Sequence, residues 1–308
     1  MILYKTNGNW FGDMRHLFTS WTMRRIVRSV VGIGIYSAAF VWVVDYFDLG
    51  HFMMMDPTVF SLLGVILSLF LGFRTTTAYD RWWEARKQWG ALVNNTRNMA
   101  IYVDTMWPES DVGIRRFMAK HIANFCIALS EHLRDGVKLD KLIYLSPEEN
   151  EYYSSKDHVP NFIALRIFQQ MAEAHRKGDI NEGDYINIKA QHQSLLDILG
   201  ACERIKKTPI PFSYNVYLKL FISAYALLLP CGLMESFGWT TVPVTMLIFF
   251  ALLGIELMGE EIEDPFGLDC NDLPTGDMAH TIKRNVFELL EDRSPTEEHR
   301  KELYTKVF

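Results

Sequence analysis

An all-α fold, with four membrane-crossing helices and a helical cytosolic domain, is the class this sequence predicts. Three observations predict it. Apolar residues gather in four runs instead of spreading evenly through the 308 residues. Lys and Arg avoid two long stretches, Asp45 to Phe73 and Leu220 to Ile282, as they do in membrane segments and their outer loops. The region between the second and third runs carries helix caps and apolar residues at helical spacing, and no run reads as strand.

Whole-chain averages hide this unevenness. A hydrophobic fraction of 49% and a charged fraction of 22% are near those of soluble proteins. A net charge of −6 argues against a nucleic-acid partner, because a surface that tracks phosphates needs an excess of Lys and Arg. The four cysteines, Cys126, Cys202, Cys231 and Cys270, form no CxxC pair and read as free thiols.

Residues 1–28 are expected to form a cytosolic N-terminal segment. Its "MILYKTNGNWFGDMRHLF" lacks the apolar core and small-residue site of a cleaved signal peptide. The first pair of spans occupies 29–73. Span one, Ser29 to Val44, is short for a crossing of about 20 residues, and Arg28 and Asp45 can snorkel to its two interfaces. Span two, Pro57 to Phe73, meets no proline at its polar end and continues as one helix through "FRTTTAYDRWWEARKQWG". Within it Leu62, Ile66 and Phe70 form one stripe, and Gly64, Ser68 and Gly72 another. Two readings of the stripes stand: both pack against neighbouring helices, or the apolar stripe lines a narrow hole that gates by dewetting. Leu67 is expected to face lipid. Further along, Trp82, Arg86, Trp89 and Val93 share a face, and Glu84 is placed to pair with Arg81 or Lys87.

The cytosolic domain spans 74–212. Ile114, Phe117, Met118, Ile122, Phe125 and Leu129 recur at helical spacing behind Ser110 as a candidate N-cap. "NFIALRIFQQMAEAHRKG" ends in basic residues and Gly178, as a helix C-terminus should. The second pair of spans occupies 213–259: Tyr214 to Met234, then Thr241 to Met258. Residues 260–308 form an acidic loop and C-terminal helices, with Ser294, Pro295 and Glu297 laid out as a capping box. Arg15, Arg24, Arg25 and Arg28 before span one, and Arg204, Lys206 and Lys207 before span three, put both termini in the cytoplasm. The same asymmetry argues against the alternative that these runs are core helices of a soluble α protein.

Few chemistries fit outside permeation. The nine histidines are scattered, and no HExxH, GxSxG or Gly-rich phosphate loop is present, so no enzyme is expected. "LLLPCGL" around Pro230 could be a broken helix of the kind secondary transporters use at mid-membrane, which keeps a transporter as the more remote alternative.

Two motifs resemble a known family. "FRTTTAYDRWWEARKQWG", Phe73 to Gly90, is similar to the bestrophin signature through Arg74, Tyr79, Arg81, Trp82, Trp83, Glu84 and Arg86. "DPFGLDCND", Asp264 to Asp272, resembles the second hallmark of that family, which follows its last span. The resemblance implies a bacterial homologue in the inner membrane, a homopentamer around one axial pore, embedded in the bilayer and passing small monovalent ions. It implies a neck of Leu62, Ile66 and Phe70 and a cytosolic aperture at Ile180. No cofactor is required, although Glu261, Asp264, Asp269 and Asp272 match the family's calcium clasp. Hard cations take several oxygen ligands, but Cys270 and Asn271 interrupt the acidic run, and a solvated or paired loop is the other reading. The eukaryotic members pass chloride through a phenylalanine-rich neck, of which only Phe70 is kept here. Acidic mouths carrying Asp45, Asp48 and Asp56 favour cations, so sodium or potassium is the expected permeant species and chloride the alternative.

Overall fold

The computed structural model describes residues 21–49, 55–108, 111–269 and 271–291. Ser110, Cys270 and the Ser294 capping box lie outside them. Every regular element among the described residues is helical.

Helix α1, Trp21–Tyr46, begins a full two turns before the apolar run, because Arg24, Arg25 and Arg28 continue the helix beyond the hydrocarbon-compatible residues. Helix α2, Pro57–Met106, runs unbroken for 50 residues, about 75 Å at the usual rise, against a hydrocarbon layer of about 30 Å. Asp56 caps it by accepting the Thr58 N–H at 2.8 Å, and Pro57 supplies the preset first turn. Its buried positions Phe60, Leu67, Leu71, Arg74, Ala78, Ala85, Trp89, Leu92, Thr96, Met99 and Val103 are separated by threes, fours and sevens, with Ala100 buried beside Met99. One face of the whole helix is therefore used inside the subunit, in its apolar and polar halves alike.

The polar body is organised around α3, Val112–His132, which is buried on nearly every side from Met118 to Glu131. Its N-cap is Asp111, accepting the Ile114 N–H at 3.1 Å. A short α4, Pro147–Ser154, opens on the Ser146/Glu149 capping box. Helices α5, Val159–Lys177, and α6, Glu182–Lys207, follow, with α5 ending at Gly178 as its basic last turn predicts. Helix α9, Thr275–Glu291, seals α3 and α2 with Ala279, Ile282, Val286, Phe287 and Leu290.

Between them stand α7, Phe212–Phe237, and α8, Thr241–Glu263. The chain reverses at Gly238, whose φ of 53° lies in the left-handed region that other residues resist. The reversal is complete enough to bring Lys219, near the start of α7, within 3.2 Å of Glu260, near the end of α8. Helix α7 runs through Pro230 without a break, which removes the sequence's one argument for a broken transporter helix. Gly232 is required two residues later, since a Cβ there would lie 2.2 Å from the Phe60 ring. Among the described residues three segments, Thr22–Tyr46, Pro57–Met106 and the hairpin Phe212–Glu263, are long and apolar enough to cross a membrane.

Candidate functional site

The apolar half of α2 places the neck candidates at the border of its buried face. Leu62 is 63% exposed and Ile66 37%, while Phe70 is half-buried, its ring 6.3 Å from that of Tyr214, whose hydroxyl donates to the Phe70 carbonyl. The more open flank carries Val65, Leu69 and Phe73. Leu67 does not face lipid: it is fully buried among residues of α7 and α8, because a shift of one position rotates a helical side chain by about 100°. Of the small-residue stripe, Gly64 admits the Tyr225 side chain, whereas Gly72 faces open space.

Ile180, the aperture candidate, is 3% exposed within the subunit and lies with the polar body's core in the turn between α5 and α6. The exposed neighbours there are Gly178, Asp179 and Asn181.

The signature residues form a clamp at the point where α2 leaves the apolar helices. Arg74 is buried and pairs with Glu263 at 2.9 Å, and the other carboxylate oxygen of Glu263 accepts the Ile210 N–H at 2.8 Å. Arg81 donates to the carbonyls of Ile205 at 2.7 Å, Glu263 at 3.1 Å and Thr208. One guanidinium thereby satisfies the orphan acceptors at the ends of both α6 and α8, where the helix dipoles favour a cation. Trp82 donates its indole N–H to Asn271 O at 3.0 Å, and the rings of Tyr79 and Trp83 lie near-parallel to it at 6.2 and 6.5 Å. Glu84 pairs with Lys87 at 2.6 Å, as the helical spacing allows, and accepts from Gln88, while Arg86 is exposed.

The acidic loop is held by protein donors. Asp264 accepts from Lys206 at 2.7 Å, Glu261 from Thr22 and from Asn271 at 2.8 Å, and Asp272 from the Asp269 N–H at 2.6 Å. Among the described residues, no three of Glu261, Asp264, Asp269 and Asp272 bring side-chain oxygens within 4.8 Å of one another. Sequence reasoning missed the partner carboxylates Glu256, Glu260 and Glu263, which meet Lys219, Arg25 and Arg74. Their three- and four-residue spacing along the end of α8 was the available signal.

Apolar segments long enough to cross a membrane, joined by a buried charge clamp to a helical polar body, define a helical membrane protein. The sequence profile described as Bacterial/Fungal Bestrophin protein matches residues 1–288, and the chain belongs to that family. It is 39% identical over 246 residues to a voltage-dependent anion channel-forming protein of Nostoc sp., covering 76% of this chain and 78% of that one. A voltage-dependent anion channel-forming protein of Escherichia coli K12 is 30% identical over 257 residues, covering 83% of each chain. The crystal structure of a bacterial bestrophin homologue from Klebsiella pneumoniae, phased on zinc, superposes with a TM-score of 0.79 at 28% identity, covering 87% of this chain and 98% of that one.

Proposed function

We propose that this chain is one subunit of a passive ion channel, crossing the bacterial inner membrane four times with both termini cytoplasmic and assembling as a homopentamer around one axial pore. The observation that carries the reading is the second face of α2. Its first face is filled inside the subunit, yet Leu62, Val65, Leu69 and Phe73 leave a continuous apolar strip exposed among the described residues, on a helix too long to end in the membrane. Lipid, a neighbouring subunit and a narrow hydrophobic passage are the surroundings such a strip suits. On this reading Leu62, Ile66 and Phe70 form the neck, and no cofactor takes part in permeation.

Two ion preferences compete. Exposed Asp45 and Asp48 at the far end of α1 favour cations at the mouth. On the other side Asp264 is neutralised by Lys206 and Glu263 by Arg74, which weakens the acidic balance there, and the relatives are named for anions. The reversal potential of the purified protein in a planar bilayer under a salt gradient decides between them. The neck itself is tested by Ile66→Ala, expected to raise unitary conductance severalfold by widening and wetting the constriction. Leu67→Ala, which empties a buried site, should instead cost about 3 kcal/mol of stability. Equal conductance changes at both positions sink the neck assignment.

A further inference from the structure

The nine histidines are scattered along the chain, but folding brings two of them onto one carboxylate. His132 is the last residue of α3, His158 the N-cap of α5, and Glu203 lies one turn before the end of α6. The Nε2 atoms of His132 and His158 stand 2.6 and 2.7 Å from the same oxygen, Glu203 Oε1, and the two rings are 4.4 Å apart. Among the described residues this is the one group of three metal-ligating side chains whose donor atoms all lie within 4.8 Å of one another.

We propose that His132, His158 and Glu203 form a binding site for a divalent first-row transition-metal ion, with zinc the best match. Two imidazoles and one carboxylate suit that class, whereas calcium and magnesium select oxygen. Ligand atoms arranged tetrahedrally about zinc at 2.0–2.1 Å are roughly 3.3 Å apart, so an ion enters once the two hydrogen bonds open by about 0.6 Å. The side chains can give by that amount, being 20%, 27% and 22% exposed and reachable from solvent.

The two histidines are not equivalent. His158 Nδ1 accepts the Asn161 N–H at 3.3 Å, the cap of α5. Coordination through Nε2 moves the ring proton to Nδ1 and forfeits that bond, so His158 is the weaker ligand and His132 the stronger. Glu203 lies two residues before Ile205, whose carbonyl is held by Arg81, so the ion ties α3, α5 and α6 together beside the clamp.

The test is zinc titration of the full-length, chelator-stripped protein in detergent, read by calorimetry and by metal content after desalting, with the visible spectrum of bound cobalt as a second readout. One zinc per subunit is expected. Glu203→Gln keeps an acceptor for both histidines and should fold normally by thermal melting. It should weaken zinc at least ~10-fold, the lower end of what even outer-shell changes cost. His132→Gln should weaken it more than His158→Gln does, and Asp264→Asn should leave it unchanged. Absence of stoichiometric zinc, or equal zinc affinity in wild type and Glu203→Gln, overturns the proposal and leaves the triad as a hydrogen-bonded brace.

Discussion

Leu92 and Leu69 sit on the same helix, about 35 Å apart, and have opposite surroundings: the first is fully buried, the second 59% exposed. The comparison extends to the regions they represent. Around Leu92 the buried stripe of α2 is backed by Asp80, Lys87, Asn94, Arg97 and Asn98 on the open face, a face that water accepts. Around Leu69 the same buried stripe is backed by Val65 and Phe73, a face that water rejects. Packing inside the subunit follows one rule along the entire helix. The change of solvent is written only on the other side, so the two halves differ in what surrounds the subunit and hardly at all in how it is built.

The largest effect is expected where the halves meet. Arg74→Met strands the Glu263 carboxylate, which is itself mostly buried. Breaking one partner of a buried pair costs about 3–5 kcal/mol, which a chemical-denaturation midpoint should register as a large shift. Adding Glu263→Gln should restore part of it, because the stranded charge is gone while the Ile210 N–H keeps an acceptor. No recovery in the double variant means the pair is not the source of the cost.

A smaller effect tests the comparison directly. Leu92→Ala removes a fully enclosed side chain and should cost about 3 kcal/mol, whereas Leu69→Ala should stay within about 0.5 kcal/mol. If the two losses proved alike in thermal unfolding of the detergent-solubilised subunit, the exposed strip would have to be packed in a way a single chain does not reveal.

What the sequence disclosed follows from the same contrast. The continuity of α2 was legible because nothing between Phe73 and Gly90 breaks a helix, and the end of α5 because basic residues precede Gly178. The spans were read short at their polar ends, since hydropathy marks hydrocarbon and not helix: α8 continues to Glu263 through charges that serve as ion-pair partners. Leu67 was misplaced because two faces of an apolar helix look alike in composition. Only the positions of α7 and α8 distinguish them, and that is tertiary information. The Arg81 clamp was half visible: a conspicuous arginine in a tryptophan-rich motif, but its acceptors are backbone carbonyls of Ile205, Thr208 and Glu263, which carry no signature. The meeting of His132, His158 and Glu203 was not visible at all, because it depends on three separate helix ends.

The smallest effect concerns protons in the polar body. His121 lies on α3 with its side chain 1% exposed, stacked on Phe117 and accompanied by Lys120 and Glu149. Burial pushes its pKa down to about 4, against which the Phe117 carbonyl acts weakly. In the unfolded chain the ring protonates near its ordinary value of about 6.5, so between the two values the unfolded state binds more protons. Stability is therefore intact above about 6.5 and drains as the pH falls towards 4, by about 2 kcal/mol between roughly pH 7 and 5. Glu149, held below its ordinary value by Lys120 and Ser146 against the cost of burial, adds to the loss in the same direction at more acid pH. His121→Gln should flatten the slope above about pH 5 without moving that of Leu69→Ala, since the exposed strip contains nothing to titrate. An unchanged slope in His121→Gln would assign the acid sensitivity to the carboxylates alone.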